Sequence, residues 1–265
     1  MAESVTENLN ISLVQLDIEW HKPEANRRRI DQLLAEQPDF SADLVVLPEM
    51  FTTGFTMSAQ EFAEPMDGAT VQWMTECAAR FNAVVTGTVA VKEAGHFYNR
   101  LLWVKPDGDT GFYDKRHLFR MAQEHLAYRP GSLQPTFDLK GWRIRPIICY
   151  DLRFPVWCRA KNNDYDALLC PANWPDPRHN AWLSLLTARA IENQAYMIAN
   201  NRVGTDAHGK HYLGNSQVID PKGHALCDAG SNEKVVTTTL SKQELDRFRT
   251  KFPISVDADE FDLKP

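Results

Sequence analysis

The sequence predicts an α/β fold, with mixed sheets and helices packed outside them in one domain. Three observations carry that reading. Short apolar runs such as Leu44-Val45-Val46-Leu47 and Ile147-Ile148-Cys149-Tyr150 have the length of buried strands, far short of the ~18 residues a membrane-crossing helix needs. Such runs alternate with helical stretches and then break into hairpins. The 265 residues, 43% of them hydrophobic, can bury a large core, and no repeat, low-complexity tract or Ser/Gly-rich linker divides them.

Residues 10–18 carry Ile11, Leu13, Leu16 and Ile18 and read as a strand. Residues 23–37 follow as an amphipathic helix, with Pro23 suited to its first turn. Residues 43–47 are a short apolar strand ended by Pro48. Residues 70–81 read as a helix and 83–91 as a strand. Residues 98–104 and 111–114 form a hairpin about Pro106-Asp107-Gly108. A strand over 143–149, a helix over 155–162, a strand over 167–170, a helix over 178–193 and a strand over 195–201 continue the alternation. Residues 213–219 and 235–240 look like a second hairpin around Asp220-Pro221-Lys222-Gly223, and Ser241 caps a last helix running to Phe252.

A formal charge of −6 argues against nucleic-acid and anionic-membrane partners. Arg27-Arg28-Arg29, the one dense basic run, reads as a solvated helix face. The first 25 residues hold Glu3, Glu7, Asp17 and Glu19 and lack an apolar core, so no secretory signal is expected. Five cysteines (Cys77, Cys149, Cys158, Cys170, Cys227) are an odd set without a CxxC pair. They point away from a disulfide framework or zinc ribbon and toward a reducing cytoplasm, with room for a functional thiol.

Three segments place a reactive side chain where an apolar strand ends. Glu49 follows Leu44-Val45-Val46-Leu47-Pro48, at a strand's carboxyl end where α/β folds build sites; taken alone it is as readily a loop acid. Lys115, in Asp114-Lys115-Arg116-His117-Leu118-Phe119, is either a surface charge or a buried cation able to hold an oxyanion. Cys149 closes a strand just before Pro155 opens a helix, a strand–turn–helix elbow that presents a nucleophile and the next backbone N–H, that of Tyr150. Alone it is as readily a core thiol, the reading given to Cys158, Cys170 and Cys227. Together the three are coherent. A thiol of ordinary pKa about 8.5 needs a base. Glu49 can take its proton and later activate water, while Lys115 stabilises a tetrahedral intermediate.

These segments resemble the Glu-Lys-Cys signature of the nitrilase (carbon–nitrogen hydrolase) superfamily, in family order: Pro48-Glu49-Met50-Phe51, Asp114 to Phe119, and Cys149-Tyr150-Asp151-Leu152-Arg153-Phe154-Pro155. Supporting stretches are Pro171-Ala172-Asn173-Trp174-Pro175, Ala188-Arg189-Ala190-Ile191-Glu192-Asn193-Gln194 and Gly214-Asn215-Ser216. Asn201-Arg202-Val203-Gly204 and Lys251-Phe252-Pro253 narrow the resemblance to the bacterial omega-amidases.

The resemblance implies hydrolysis of the side-chain amide of 2-oxoglutaramate or 2-oxosuccinamate through a cysteine thioester. It implies a four-layer αββα sandwich dimerising to αββα–αββα, and neither a metal nor an organic cofactor. Residues 9–240 form the carbon–nitrogen hydrolase domain under it, with 241–265 a helix and tail of the same unit near the dimer interface. Glu124, ahead of Pro130-Gly131, matches the family's second glutamate across a shorter stretch than in many relatives; it is expected to position the amide and hold Lys115. Lys115 and the Tyr150 amide are the expected oxyanion hole. Phe119, Tyr128 and Trp174 are expected to wall the pocket, and Arg120, Arg129 and Arg178 are candidates for the substrate's acid end. Arg189 and Glu192, three apart on one helix, read as a scaffold ion pair.

Other readings weigh less. Gly204 to Lys210 nearly matches a P-loop, but His211 replaces the hydroxyl residue and a strand follows. His208 and His211 make half a metal site with no second pair. A Cys149–His117 thiol enzyme lacks an expected third group to orient the histidine. Within the superfamily the alternatives are a nitrilase, an N-carbamoyl amino acid hydrolase or an amidase for another small amide. A catalytically silent binding protein is the alternative of another class.

Overall fold

The structure, a computed structural model, describes residues 8–263; Glu3, Glu7 and the last two residues of the tail lie outside them. The elements run β1 (Leu9–Gln15), α1 (Pro23–Ala35), β2 (Leu44–Val46), α2 (Ala59–Phe62), α3 (Ala69–Phe81), β3 (Val84–Glu93), β4 (His96–Val104) and β5 (Thr110–Asp114). Then come α4 (Glu124–Ala127), β6 (Phe137–Leu139), β7 (Trp142–Pro146), α5 (Pro155–Cys158), β8 (Ala167–Ala172), α6 (His179–Asn193) and β9 (Tyr196–Asn201). The chain ends with β10 (Val203–Thr205), β11 (His211–Leu213), β12 (Gln217–Ile219), β13 (Ala225–Asp228), β14 (Lys234–Leu240) and α7 (Lys242–Lys251).

Two six-stranded sheets result, ordered β14-β1-β2-β3-β4-β5 and β13-β12-β9-β8-β7-β6. Each has three parallel strands at its heart, β1-β2-β3 and β7-β8-β9, with antiparallel strands outside. Central strands that are apolar on both faces must be covered twice, which explains the unbroken runs Leu44-Val45-Val46 and Ala167-Leu168-Leu169. One face of the first sheet (Val14, Val45, Val85, Leu102) packs on Ile30, Leu33 and Leu34 of α1 and Met74, Cys77 and Ala78 of α3. From the other face, Ile11, Leu13 and Val46 share a core with Ile144, Leu168 and Ile198 of the second sheet and Trp182 and Leu186 of α6. Buried Asn200 ties the sheets polar group to polar group, its amide donating to the carbonyls of Val14 at 3.0 Å and Val46 at 2.6 Å.

Two expectations are corrected. The hairpin around Asp220-Pro221-Lys222-Gly223 is β12 with β13, whereas β14 crosses to the other sheet and pairs with β1 from Leu9↔Leu240 to Gln15↔Lys234. Alternation in the sequence marks a strand but not its partner; here the pairing is local in one case and some 225 residues apart in the other, where Ser12 and Thr237 hydroxyls meet at 2.7 Å. The helix expected over 155–162 stops at Cys158. Arg159 turns extended because its guanidinium reaches the Glu192 carbonyl at 2.6 Å, and the Ala160 N–H donates to Asn193 Oδ1 at 2.8 Å. The carboxyl end of α6 thus captures the chain.

Asp166 anchors the last helix. Fully buried, its carboxylate meets Arg143 at 3.0 Å, Arg249 at 2.9 Å and Lys242 at 2.8 Å. Burial pushes its pKa up, but hydrogen bonds from Arg143 and Lys242 overcome this and bring it down to about 2. Asp166→Asn leaves these cations without a counter-charge and is expected to cost about 3–5 kcal/mol at pH 7, read from urea unfolding. A carboxylate depressed in the folded state stabilises above its unfolded value near about 4 and loses that contribution as pH falls toward 2. The parent and variant midpoints should therefore converge in acid; equal midpoints at pH 7 would contradict this role.

Candidate active site

Both sheets deliver residues to one place. Glu49 follows β2 and Lys115 follows β5 in the first sheet; Cys149 follows β7 and Asn173 follows β8 in the second. Glu49, Lys115 and Glu124 are fully buried and Cys149 nearly so. The Lys115 ammonium lies 2.8 Å from Glu49 Oε1 and 3.0 Å from Glu124 Oε2. Asn99, on β4, donates through one amide nitrogen to Glu49 Oε1 at 2.8 Å and Glu124 Oε1 at 3.1 Å, and its own oxygen accepts from Thr88 at 2.7 Å. Glu49 Oε2 accepts from the Asn173 N–H at 2.8 Å. Glu124 Oε2 accepts from the Phe119 N–H at 2.6 Å. The loop carrying Glu124 is pressed onto the lysine: Gly131 donates to the Lys115 carbonyl at 3.0 Å, and a Cβ at Gly131 would sit 2.3 Å from the Asp114 carbonyl oxygen. That contact is why the stretch ends in Pro130-Gly131.

Three ionisable groups and a thiol share this desolvated space. Burial alone would lower the Lys115 pKa, but Glu124, Glu49 and Cys149 reverse that and raise it, so the ammonium stays charged. Burial, then Glu49, pushes the Cys149 thiol up against the opposing pull of Lys115. Burial also raises Glu124, Lys115 opposing and Glu49 assisting. Burial and the neighbouring Glu49 thus disfavour the thiolate at rest. A proton acceptor is needed to make the sulfur nucleophilic, and Glu49 lines the same pocket.

The elbow exists. Cys149 has φ +43°, a left-handed conformation costing about 1–3 kcal/mol for a residue with a side chain, and Met50, next to Glu49, has the same value. The short 3₁₀ turn Cys149–Arg153 begins there, putting the Tyr150 amide at a helix start, where N–H groups lack internal acceptors. Asp151 locks the turn: its Oδ2 accepts from the Ile148 N–H at 2.9 Å and the Tyr113 hydroxyl at 2.7 Å. Its Oδ1 accepts from the His117 N–H at 2.8 Å and lies 2.8 Å from His117 Nδ1. His117 thus has an orienting carboxylate, contrary to expectation. The ring stacks on Phe154 at 3.7 Å and lines a different cavity from Cys149, so it braces the elbow.

Glu49, Lys115 and Cys149 line a narrow cleft whose walls include Phe55, Phe119, Tyr150 and Trp174. Phe119 and Trp174 are where the sequence placed them. Tyr128 is not: its hydroxyl donates to the Thr56 carbonyl at 2.9 Å, and its ring packs with Met50 and Leu118 behind the site. With Arg120 and Arg129 it borders a neighbouring open cleft, and of the three candidate arginines only Arg178 faces the cysteine's pocket. Arg153, Lys210 and Tyr212 are lining residues that the sequence reading missed. Arg189 and Glu192 form the expected pair at 3.0 Å. The P-loop look-alike ends in strand β11. Among the described residues no group of three or more His, Cys, Asp or Glu is placed to hold a metal ion.

A sequence model described as carbon-nitrogen hydrolase matches residues 10–250. The chain is 48% identical over 256 residues to the omega-amidase YafV of Escherichia coli (strain K12), covering 96% of this chain and 98% of that one. It is 35% identical over 248 residues to the 2-oxoglutaramate amidase of Bacillus subtilis (strain 168), covering 92% and 95%. The crystal structure of XC1258 from Xanthomonas campestris, a CN-hydrolase superfamily protein with an arsenic adduct in its active site, matches with TM-score 0.95 at 46% identity, covering 97% and 100%.

Proposed function

The chain belongs to the carbon–nitrogen hydrolase family, and on that premise we propose that it is an omega-amidase, hydrolysing the side-chain amide of 2-oxoglutaramate or 2-oxosuccinamate to the 2-oxo dicarboxylate and ammonia. The similarity to the Escherichia coli and Bacillus subtilis enzymes supports the substrate class. The observation that carries the chemistry is one buried ammonium between two carboxylates, in a pocket that Glu49 and Lys115 share with the Cys149 thiol.

In our reading Glu49 takes the Cys149 proton as sulfur attacks the amide carbon. Lys115 and the Tyr150 N–H hold the oxyanion in a site where such donors act at full strength. Glu49 passes the proton to the leaving nitrogen, the C–N bond breaks, and ammonia departs from a Cys149 thioester. Glu49 then takes a proton from water, whose oxygen attacks the thioester; the C–S bond breaks and the proton returns to sulfur. Glu124 holds Lys115 in place through both steps.

The test is ammonia release on 2-oxoglutaramate, 2-oxosuccinamate, glutamine, asparagine, an aliphatic nitrile and an N-carbamoyl amino acid. Turnover confined to the 2-oxo amides is expected. Turnover of the nitrile or carbamoyl compound alone would keep the thiol chemistry and overturn the substrate.

The arrangement of two sheets with helices fits a four-layer αββα sandwich, and we read the protein as a homodimer. Exposed Val156, Ile191, Phe252 and Val256, on α5, α6 and the tail after α7, supply apolar surface for the contact. Light scattering at twice the 30.2 kDa chain mass would bear this out. No helix among the described residues is long and apolar enough to cross a membrane. The five free cysteines suit a reducing cytoplasm.

A further inference from the structure

The arginines buried elsewhere in the fold, Arg100, Arg145, Arg189, Arg202 and Arg249, each meet a carboxylate within 3.3 Å. The two half-buried arginines of the cysteine's pocket, Arg153 and Arg178, have no carboxylate partner among the described residues. Aromatic faces hold them instead. The Arg178 guanidinium lies 5.1 Å from the Phe119 ring centre, and that of Arg153 lies 4.8 Å from the Trp174 ring. The loop between is closed by the Trp174 indole N–H donating to the Arg178 carbonyl at 2.8 Å. A guanidinium held over a ring by cation–π attraction, with no carboxylate taken, has N–H donors left for a ligand, in the fork that matches a carboxylate. Lys210, exposed and likewise without a carboxylate partner, brings a third cation to the same pocket. The pocket's one acid is Glu49, and Lys115, Asn99 and Asn173 already engage it.

We propose that Arg178, flanked by Arg153 and Lys210, binds the carboxylate of the 2-oxo acid end of the substrate while the amide lies at Cys149. This rests on the omega-amidase reading and adds the source of its selectivity. Three cations with no free acid among them attract a carboxylate and repel an ammonium. Glutamine and asparagine, which carry a 2-ammonium where the substrate has a 2-oxo group, are excluded by charge at this end of the pocket.

Arg178→Met is expected to raise the KM for 2-oxoglutaramate some 10- to 100-fold, the worth of a charge-assisted hydrogen-bonded pair, with kcat changed less than about threefold. Arg178→Lys should recover part of the loss. Lys210→Met, at an exposed position, should raise the same KM a fewfold without touching the fold. A second readout needs no turnover: 2-oxoglutarate should protect Cys149 of the parent from iodoacetamide, and should protect the Arg178→Met protein only at 10- to 100-fold higher concentration. An unchanged KM, or equal protection of the parent and the Arg178→Met protein, would overturn the proposal. If the parent turns over no 2-oxo amide yet Arg178-dependent protection persists, the substrate reading fails and the carboxylate site stands.

Discussion

Cys149→Ala protein is expected to fold as the parent does and to release ammonia from 2-oxoglutaramate at least about 10⁴-fold more slowly. The two halves of that expectation have separate causes. Alanine keeps the Cβ, so the strained φ of +43° is held by the same neighbours, above all the Asp151 carboxylate that pins the Ile148 N–H and the His117 loop. Losing one sulfur from a nearly buried position leaves a small void worth about 1 kcal/mol, which melting or urea curves would register as a minor shift. The rate falls because no other nucleophile is placed to form the acyl enzyme. Cys158 on α5 and Cys170 on β8 are buried thiols packed among the apolar residues of the same core. Hydroxylamine added during turnover should trap the parent's thioester as a hydroxamate and trap nothing from the variant. Ammonia release surviving in Cys149→Ala would remove the thiol from the mechanism.

The site was legible in the sequence wherever a reactive side chain directly followed an apolar run. Glu49 after Leu44-Val45-Val46-Leu47 and Cys149 after Ile147-Ile148 stand out, because these runs lie at or just past the carboxyl ends of the parallel strands β2 and β7, where side chains converge. Lys115 was legible only in company, since its segment reads equally well as a surface hairpin end. What supports the three was hidden, for a physical reason. Asn99 is a mid-strand residue whose partners, Glu49 and Glu124, are 50 residues before it and 25 after; no local pattern distinguishes it from a strand asparagine facing solvent. Asp151 lies inside the Cys149-to-Pro155 segment, but its role depends on His117 and Tyr113 arriving from the other sheet. Tyr128 misled in the opposite way. An aromatic beside a catalytic loop can face either side of it, and the Thr56 carbonyl, 72 residues away, decided the direction. The crossing of β14 to β1 is the same limitation at the scale of the fold: periodicity gives faces, and tertiary contacts give partners.

Lys115→Met separates what the buried charges do for the fold from what they do for the reaction. In the parent one ammonium pairs with two carboxylates that are fully out of water, and the Asn99 amide donates to both. Methionine fills much of the same volume but leaves Glu49 and Glu124 facing each other uncompensated, a change expected to cost about 3–5 kcal/mol near pH 7. The sign of its pH dependence follows. Burial and the neighbouring Glu49 already raise Glu124, and without the lysine Glu124 binds a proton in the folded protein that the unfolded chain has released. Stability of the variant should therefore fall as pH rises and recover toward acid, so that the gap to the parent is widest at alkaline pH. Adding Glu124→Gln to Lys115→Met removes one of the two charges and should return most of the stability. It should return none of the activity, which loses at least about 10²-fold with the oxyanion donor. A double variant that regained stability and turnover together would mean that Lys115 acts only as a counter-ion. One that regained stability alone assigns the ammonium to the reaction and Glu124 to holding it there.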